Sequence, residues 1–194
     1  MSDGSRTRVI SPPFRVSFPA VFEPKAFEGN DPKYSILAVW TPSEFKATEK
    51  KAWKAMLAML DEASMEKFGK KLKAAKVRHP LRKGEEKEHL QGFEAGQIFA
   101  TLSTKIRPGL VDRELLPIID PNEFYAGCYA RATLTAYGYS NVTKGVALGL
   151  GNIQKLGDGE PLDGRVAAED DFGDDAPEWG DQPATEDDDD DLLG

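Results

Sequence analysis

Five stretches of this chain have the pattern of strands, and in three of them apolar and polar side chains alternate with the two-residue period of a strand with one buried face. The alternating stretches are 14–18, 97–105 and 124–137, whereas 34–40 is β-rich and mostly apolar, as in a central strand, and 145–153 is a last strand interrupted by glycines. Pro19 limits the first stretch to a sheet edge or a bend, and the glycines of the last fall where a closed sheet must bend. The pattern therefore predicts a mainly β protein.

A spacing of three and four residues replaces this alternation between Thr48 and Phe68. Trp53, Met56 and Leu60 share one predicted face and charged residues take the other, which indicates an amphipathic helix. Gly69 is a suitable C-terminal stop for it. Residues 77–97 show no period, and a connection of that length in a compact domain indicates a functional or mobile segment.

The stretch 124–137 has two unlike faces. One face consists mostly of alanines, with Cys128 among them, and suits packing under a helix or inside a tight ring. The other face carries Tyr125, Tyr129, Arg131 and Tyr137. Aromatic rings can stack on unpaired bases, at roughly 1–3 kcal/mol per base, and arginine can meet a phosphate. The same tyrosines could instead fill the interior with their hydroxyls bonded, and the strand pattern alone leaves both readings open.

Basic residues are concentrated between Gly69 and Gly84, with almost no acids among them. They are Lys70, Lys71, Lys73, Lys76, Arg78, Arg82 and Lys83. A solvated surface is the ordinary fate of a lysine run, but phosphate binding needs such charges on flexible stems. We predict that this run contacts phosphates, with Lys105 and Arg107 as weaker candidates of the same kind.

Charge is divided sharply along the chain. The formal net charge is −8, yet all 25 lysines and arginines lie at or before Arg165, and residues 167–194 hold 13 acidic residues. A mildly basic domain over 13–166 joined to an acidic tail indicates a body that meets a polyanion and a tail that resembles one. The tail over 167–194 has too few apolar residues to offset its ordering entropy, so we predict it to be disordered. Residues 1–12 are predicted to form a flexible leader.

The chain end combines charge with apolar residues. Five acids, Asp187, Asp188, Asp189, Asp190 and Asp191, stand directly before Leu192 and Leu193. The acids can steer the tail to a basic pocket, and the leucines can fill the floor of that pocket. Acidic tails can also merely keep proteins in solution, but the apolar terminus argues against that reading.

Patterns for catalysis or metal binding are lacking. Cys128 is the single cysteine and the chain has two histidines, so no disulfide can form within the chain and no zinc site is expected. Scattered acids near turns usually lie on the surface, although a metal-dependent nuclease could in principle use Asp112, Glu114, Asp120 and Glu123. No run approaches the roughly 20 apolar residues of a membrane span, and the N-terminus lacks an apolar signal segment. We expect no enzyme, no cofactor, no metal and no membrane contact.

Six short motifs follow one another across residues 14–172. They are Phe18-Pro19-Ala20-Val21-Phe22-Glu23-Pro24-Lys25, Lys33-Tyr34-Ser35, His79-Pro80-Leu81-Arg82-Lys83-Gly84, Tyr125-Ala126-Gly127-Cys128-Tyr129, Gly145-Val146-Ala147-Leu148-Gly149-Leu150 and Gln154-Lys155-Leu156-Gly157-Asp158-Gly159-Glu160. In order and spacing they resemble the OB-fold single-stranded DNA-binding proteins of tailed phages. The resemblance implies a five-stranded OB-like barrel with an inserted α-helix. It also implies sequence-independent binding of single-stranded DNA during phage replication or recombination, in the host bacterial cytoplasm. Tails of such proteins often end in an aromatic residue, whereas this chain ends in Leu192-Leu193-Gly194.

The resulting hypothesis has three parts. Phosphates lie along the basic run and neighbouring loops, bases stack on the tyrosine face, and the tail, displaced by DNA, recruits replication or recombination proteins. Two alternatives stay open: an acidic adaptor or DNA mimic whose body never touches nucleic acid, and the metal-dependent nuclease. The sequence does not fix the oligomeric state, a dimer included, or the preference for single over double strands.

Overall fold

The computed structural model describes residues 6–164. The strands are β1 (Val9–Ile10), β2 (Phe14–Lys25), β3 (Lys33–Trp40), β4 (Arg82–Lys83), β5 (Ile98–Thr104), β6 (Leu110–Val111), β7 (Tyr129–Ser140) and β8 (Lys144–Gly157), and the helices are α1 (Ala47–Phe68) and α2 (Leu72–Ala75). Short 3₁₀ turns cover Pro42–Glu44, Gly84–Lys87 and Pro121–Glu123. None of the helices in this part of the chain is long and apolar enough to cross a membrane.

Five strands close into a ring in the order β2, β3, β5, β8, β7 and back to β2. All of these pairs are antiparallel except β5 with β8, which is parallel. The short strands lie outside the ring, with β1 on β7, β6 on β8 and β4 on β5. The predicted five-stranded OB-like architecture with an inserted helix is therefore confirmed.

The interior of the ring is built from the inward residues of the alternating stretches. Ile36, Leu102, Leu134 and Leu148 are almost fully buried there. Burial of apolar surface, at roughly 25 cal/mol per Å², is the main force that holds such a core together. Trp40 links this core to the N-terminal segment, because its indole Nε1–H donates to the carbonyl oxygen of Pro12 at 3.2 Å.

Helix α1 packs against the small face of β7, which is one of the two arrangements that the alanine-rich pattern suited. The backbone of α1 comes so close at Gly138 that a side chain there would strike Lys67 Cβ. Edge-to-face contact between Trp40 and Trp53, with ring centroids 5.5 Å apart, adds a second junction between α1 and the ring. Gly69 takes the left-handed conformation with φ of 69° and ends the helix, which is the stop that the sequence indicated.

Two sequence expectations need correction. The fourth long strand begins at Tyr129 rather than Phe124, because Gly127 has a φ of 116° and its N–H donates to the carbonyl oxygen of Val16. The leader is also not wholly loose, since Val9 and Ile10 pair with Leu134 and Thr133 of β7. The predicted disordered tail, together with the 166/167 boundary, lies outside the described residues.

The connection over residues 77–97 is irregular, as expected, but it is anchored to the sheet. Phe93 packs edge-to-face on Phe99 of β5, with ring centroids 5.5 Å apart, and both are buried together with Val39. The segment thus covers one half of the outer face of β3 and β5. The other half of that face stays open.

Candidate nucleic-acid interface

An open groove of about 760 Å³ lies on the uncovered part of the outer face of β3 and β5. Its walls are the β2–β3 loop (residues 26–32) and the β7–β8 loop (residues 141–143). Counted along the chain, the ring strands are β2, β3, β5, β7 and β8, so these loops join the first strand to the second and the fourth to the fifth. In OB folds the same face, between the same two loops, binds oligonucleotides.

Short polar side chains form the floor of this groove. Ser35 of β3 and Ser103 of β5 are paired across the two strands, so both project from the same outer face, and Thr101 lies two residues along β5. These hydroxyls can donate or accept hydrogen bonds without filling the groove. The alternation that buries Ile36 and Leu102 therefore also produces the polar floor.

The two loops supply aromatic and apolar walls. Phe27 is 64% exposed at one side, and Val142 is fully exposed at the other. The backbone N–H and the side-chain amide of Asn30 both lie 3.0 Å from the carbonyl oxygen of Phe27, which holds the loop in shape. Tyr139, near the end of β7, completes the aromatic lining. The exposed Phe27 ring and the half-buried Tyr139 ring face one groove, an arrangement suited to stacking on unpaired bases.

Cations stand around these rings. Lys25, Lys33 and Arg78 line the groove, against the acids Glu28 and Asp31. Asp31 is paired with Lys105, whose Nζ lies 2.8 Å from its Oδ2, and this hydrogen bond lowers the pKa of the Asp31 carboxyl. The Lys105 ammonium offsets the negative charge of Asp31, so the net charge of the groove lining is positive and favours an anion.

Arg78 is held in place by its backbone. Its N–H donates to the carbonyl oxygen of Lys144 at 2.9 Å, and its carbonyl oxygen accepts from the N–H of Val146 at 3.2 Å. Gly145 permits this approach, since a Cβ at Gly145 would lie 2.9 Å from that carbonyl oxygen and 2.6 Å from the Tyr139 hydroxyl. The backbone bonds leave the Arg78 side chain available at the groove.

A smaller groove of about 260 Å³ continues from the first and shares Arg78, Thr101 and Tyr139 with it. Arg82 extends the basic lining there, with its guanidinium 5.4 Å from the centroid of the Phe99 ring and its Nε donating to Glu86 at 2.9 Å. His79 also lines this extension, and burial lowers its pKa, which favours a neutral imidazole at neutral pH. The basic lining therefore runs over two connected grooves.

The predicted basic run is divided by the fold. Arg78 and Arg82 line the grooves, and Lys83 is exposed next to Arg82. Lys70, Lys71, Lys73 and Lys76 are exposed around the end of α1 and α2, and they line none of the grooves described here. Two side chains of α1 fix this position: Ser64 Oγ donates to the carbonyl oxygen of Lys70 at 2.7 Å, and Asp61 Oδ1 accepts from the N–H of Leu72 at 2.9 Å. Lys105 forms the pair with Asp31, and Arg107 is exposed in the loop beyond it.

The predicted tyrosine face is also divided. Tyr125 precedes β7 and does not share its outer face: its hydroxyl lies 3.0 Å from Asp158 Oδ1, and burial raises its pKa. Tyr129 is 44% exposed but lines a separate pocket with three acids, Glu44, Glu49 and Glu94. An acidic pocket is unfavourable for phosphate.

Arg131 and Tyr137 do lie on the outer face of β7. Arg131 donates from Nε to Gln154 Oε1 at 2.8 Å. The Cζ of Arg6 lies 5.7 Å from the centroid of the Tyr137 ring.

The described residues contain no cluster of three side chains able to hold a metal ion, and Asp112 and Asp120 instead accept hydrogen bonds from backbone N–H groups in their own turns.

Several groove residues were not predicted. Lys25, Phe27, Lys33, Tyr139 and Val142 all line the groove. The turn signal Gly29-Asn30-Asp31-Pro32 could have drawn attention to Phe27 as an aromatic residue beside an exposed loop. Tyr139 continues the outward alternation of Tyr137 beyond Gly138, the residue at which the sequence predicts the strand to end.

The ring order and the groove between its two loops define an OB-fold protein with an open face of the kind that takes oligonucleotides. The chain belongs to the family described as the ssDNA-binding protein of Enterobacter phage Enc34, whose model matches residues 7–192. The predicted family is therefore confirmed. Membership in a family described by DNA binding also supports the prediction that the chain is not an enzyme.

One relative is similar to this chain in sequence, and two solved structures have a similar fold. Protein p50 of Acyrthosiphon pisum secondary endosymbiont phage 1 is 32% identical over 171 residues, which cover 82% of this chain and 89% of that protein. The single-stranded DNA-binding protein of bacteriophage Enc34, solved in complex with ssDNA, has a similar fold with a TM-score of 0.65 at 21% identity, over 80% of this chain and 89% of that one. The single-stranded DNA-binding protein gp2.5 of bacteriophage T7 matches with a TM-score of 0.59 at 9% identity, over 84% and 98% of the two chains.

Proposed function

We propose that this protein binds single-stranded DNA without sequence preference, in the groove between the β2–β3 and β7–β8 loops. The observation that carries the proposal is the convergence of the exposed Phe27 ring, the half-buried Tyr139 ring and Arg78 above a floor of hydroxyls. The family is described as a phage ssDNA-binding protein, and the Enc34 protein of similar fold was solved in complex with ssDNA. We therefore place the activity in phage replication or recombination, in the host cytoplasm.

In this proposal each part of the groove has a physical role. Lys25, Lys33 and Arg78 neutralise phosphates, with release of counterions as the main source of affinity. Phe27 and Tyr139 stack on bases, and every base offers a π-face, so the stacking does not depend on sequence. Ser35 and Ser103 are too short to reach across a base edge in a fixed register. Such contacts protect a strand without reading it.

Most of the DNA-binding residues predicted from the sequence have secondary roles in this proposal. Arg82 and Lys83 extend the phosphate track along the smaller groove. The lysines at 70–76 line none of the grooves, so they add only a weak attraction that is lost as salt rises, because exposed charges farther apart than about 10 Å are largely screened at 0.1 M salt. Lys105 and Arg107 act at the rim, and Tyr125 and Tyr129 are outside the main track.

Fluorescence anisotropy with a labelled thymidine oligonucleotide, over a salt series, tests the proposal. Arg78→Ala keeps both backbone hydrogen bonds and should weaken binding while lowering the slope of log affinity against log salt by about 0.7. Lys73→Ala, which removes one charge outside the grooves, is the matched control. Equal losses in the two variants would place the contact on the basic run rather than in the groove. If neither the full chain nor residues 1–166 bound at low salt, the proposal would be overturned and the acidic adaptor favoured.

We further propose that the acidic tail competes with DNA and recruits partner proteins. Support comes from its charge: Asp187 to Asp191 match the phosphates in sign and stand beside Leu192 and Leu193. Residues 1–166 alone should then bind DNA more tightly than the full chain at low salt. Leu192→Ala with Leu193→Ala should leave DNA affinity unchanged but weaken capture of the phage's own replication or recombination proteins. Unchanged DNA affinity after truncation would remove the competition.

A further inference from the structure

The N-terminal segment carries two arginines onto the outer face of β7. Pairing of Val9 with the buried Leu134 turns Val9 inward, so Arg8 and Ile10 project to the outside. The Nη2 of Arg8 lies 3.5 Å from Thr133 Oγ1, and Arg6 stands over the Tyr137 ring. Both arginines are exposed. They form a short cationic arm beside β7.

The arm is anchored on the side away from that face. Thr7 points the other way along the segment, and its Oγ1 donates to Glu62 Oε2 of α1 at 2.8 Å. Glu62 is the acid that the segment contacts, and it lies on the α1 side rather than on the outer face. The anchoring fixes the backbone while the two guanidinium groups remain free to meet an anion.

This arm is continuous with the proposed DNA groove. Tyr139 lines the groove, and Tyr137 is the next outward residue on the same strand, about 7 Å away at the usual rise of a strand. Ala147 of β8 is paired with Tyr137, and Gly149 is paired with Thr135, so the neighbouring strand raises no bulky side chain across the path. A strand that leaves the groove past Tyr139 can therefore reach the Tyr137 ring and the arm.

We propose that Arg6 and Arg8 bind the phosphates of DNA that extends beyond the groove, with Tyr137 as the next stacking ring. The proposal rests on DNA binding in the groove and lengthens its track. In the free protein the Arg6 guanidinium covers the ring through a cation–π contact. A base that stacks there takes its place and releases the guanidinium to a phosphate.

Oligonucleotide length separates the arm from the groove. We would compare the full chain with the double variant Arg6→Ala and Arg8→Ala on thymidine oligonucleotides of increasing length. Short oligonucleotides that fill only the groove should bind equally to both proteins. On longer ones the variant should bind more weakly, with a salt slope lower by about 1.4 if each arginine meets one phosphate.

Two matched variants make the result specific. Lys51→Ala with Lys54→Ala removes the same charge from the exposed face of α1 and should follow the wild type at every length. Arg6→Lys with Arg8→Lys keeps the charge and should restore most of the slope.

Equal behaviour of the arm and α1 variants at all lengths would overturn the arm, as would a loss already present on the shortest oligonucleotides. If the wild type bound no oligonucleotide at all, the groove itself would be wrong. That outcome is distinct from a groove that binds while the arm does not.

Discussion

Lys105 Nζ lies 2.8 Å from Asp31 Oδ2, and this pair joins the β2–β3 loop to the end of β5 at the groove rim. Both side chains are largely exposed, so the pair contributes little to stability. Its effect is on charge: without Lys105, Asp31 would face the bound phosphates as a full negative charge. The role of Lys105 in DNA binding is thus expected to be indirect.

A double-mutant cycle tests this role. Lys105→Ala should weaken DNA binding at low salt, and Asp31→Asn in the same chain should recover most of the loss, because the uncompensated carboxylate is then gone. Arg107→Ala, two residues along the same loop, is the charge-matched control. If Asp31→Asn changed DNA affinity, measured by anisotropy, by the same amount in the wild-type and Lys105→Ala chains, Lys105 would instead contact phosphate directly.

Phe27 is expected to be the strongest single stacking contact, because its ring is well exposed on a loop that Asn30 holds in shape. Phe27→Ala should cost about 1–3 kcal/mol of binding free energy, or roughly 5- to 150-fold in affinity, with an unchanged salt slope. Phe27→Trp should retain or increase affinity. A fall in salt slope with Phe27→Ala would mean that the substitution had displaced the loop cations, which titration at several salt concentrations would reveal.

Just before β7, position 127 requires glycine for two reasons, its backbone conformation and a close approach. Its φ of 116° is rarely open to side chains, and a Cβ there would clash with the carbonyl oxygen of Glu160. Gly127→Ala should therefore lower the free energy of unfolding by roughly 2–5 kcal/mol. Gly157→Ala, with nothing within 4 Å of its added Cβ, should change stability by less than about 0.5 kcal/mol. Urea denaturation of both variants measures the difference, and equal stabilities would contradict the clash.

Asp158 should make stability depend on acid pH. Hydrogen bonds from Lys155, at 2.7 Å, and from Tyr125 lower the pKa of its carboxyl. A lowered folded-state pKa gives stability that is present above about pH 4, the ordinary range of Asp, and is lost as pH falls through the folded value. Asp158→Asn should thus unfold at lower temperature than the wild type at pH 6, and the two should converge in strong acid.

The size of this effect is limited by solvent. The Asp158 side chain is 77% exposed, so the difference should stay below about 1 kcal/mol. Tyr125→Phe removes one of the two hydrogen bonds and should show part of the same pH dependence. A constant gap between wild type and Asp158→Asn at all pH values would attribute the loss to packing rather than charge.

The ring and its helix could be predicted because period is a local property. The alternation over residues 97–105 and the helical spacing over α1 each follow from which side chains are buried. The start of β7 could not be found in this way. Tyr125 to Cys128 continue the alternation, but the positive φ of Gly127 interrupts the strand, and a pattern of polarity carries no information on φ.

The groove was harder to predict because its parts are distant in sequence. Arg78 reaches it through backbone pairing with Lys144 and Val146, whereas Lys73 belongs to the same basic run and ends beside α1. Both residues are basic members of one run, so the sequence alone does not indicate which of them lines the groove. Phe27 and Tyr139 meet across the groove only because closure of the ring brings their strands together, so neither would be selected from its local neighbours.

The parallel contact of β5 with β8 is short, with Leu102 beside Leu148 and Ser103 beside Gly149. It is the parallel pair of the ring. The groove floor borders this seam at Ser103. A strand of DNA lying there would contact β5 and the β7–β8 loop that leads into β8, so DNA binding should stabilise the seam, and backbone amides along it should exchange with solvent more slowly when DNA is bound. Bound DNA would then stabilise the closed ring that forms its own binding site.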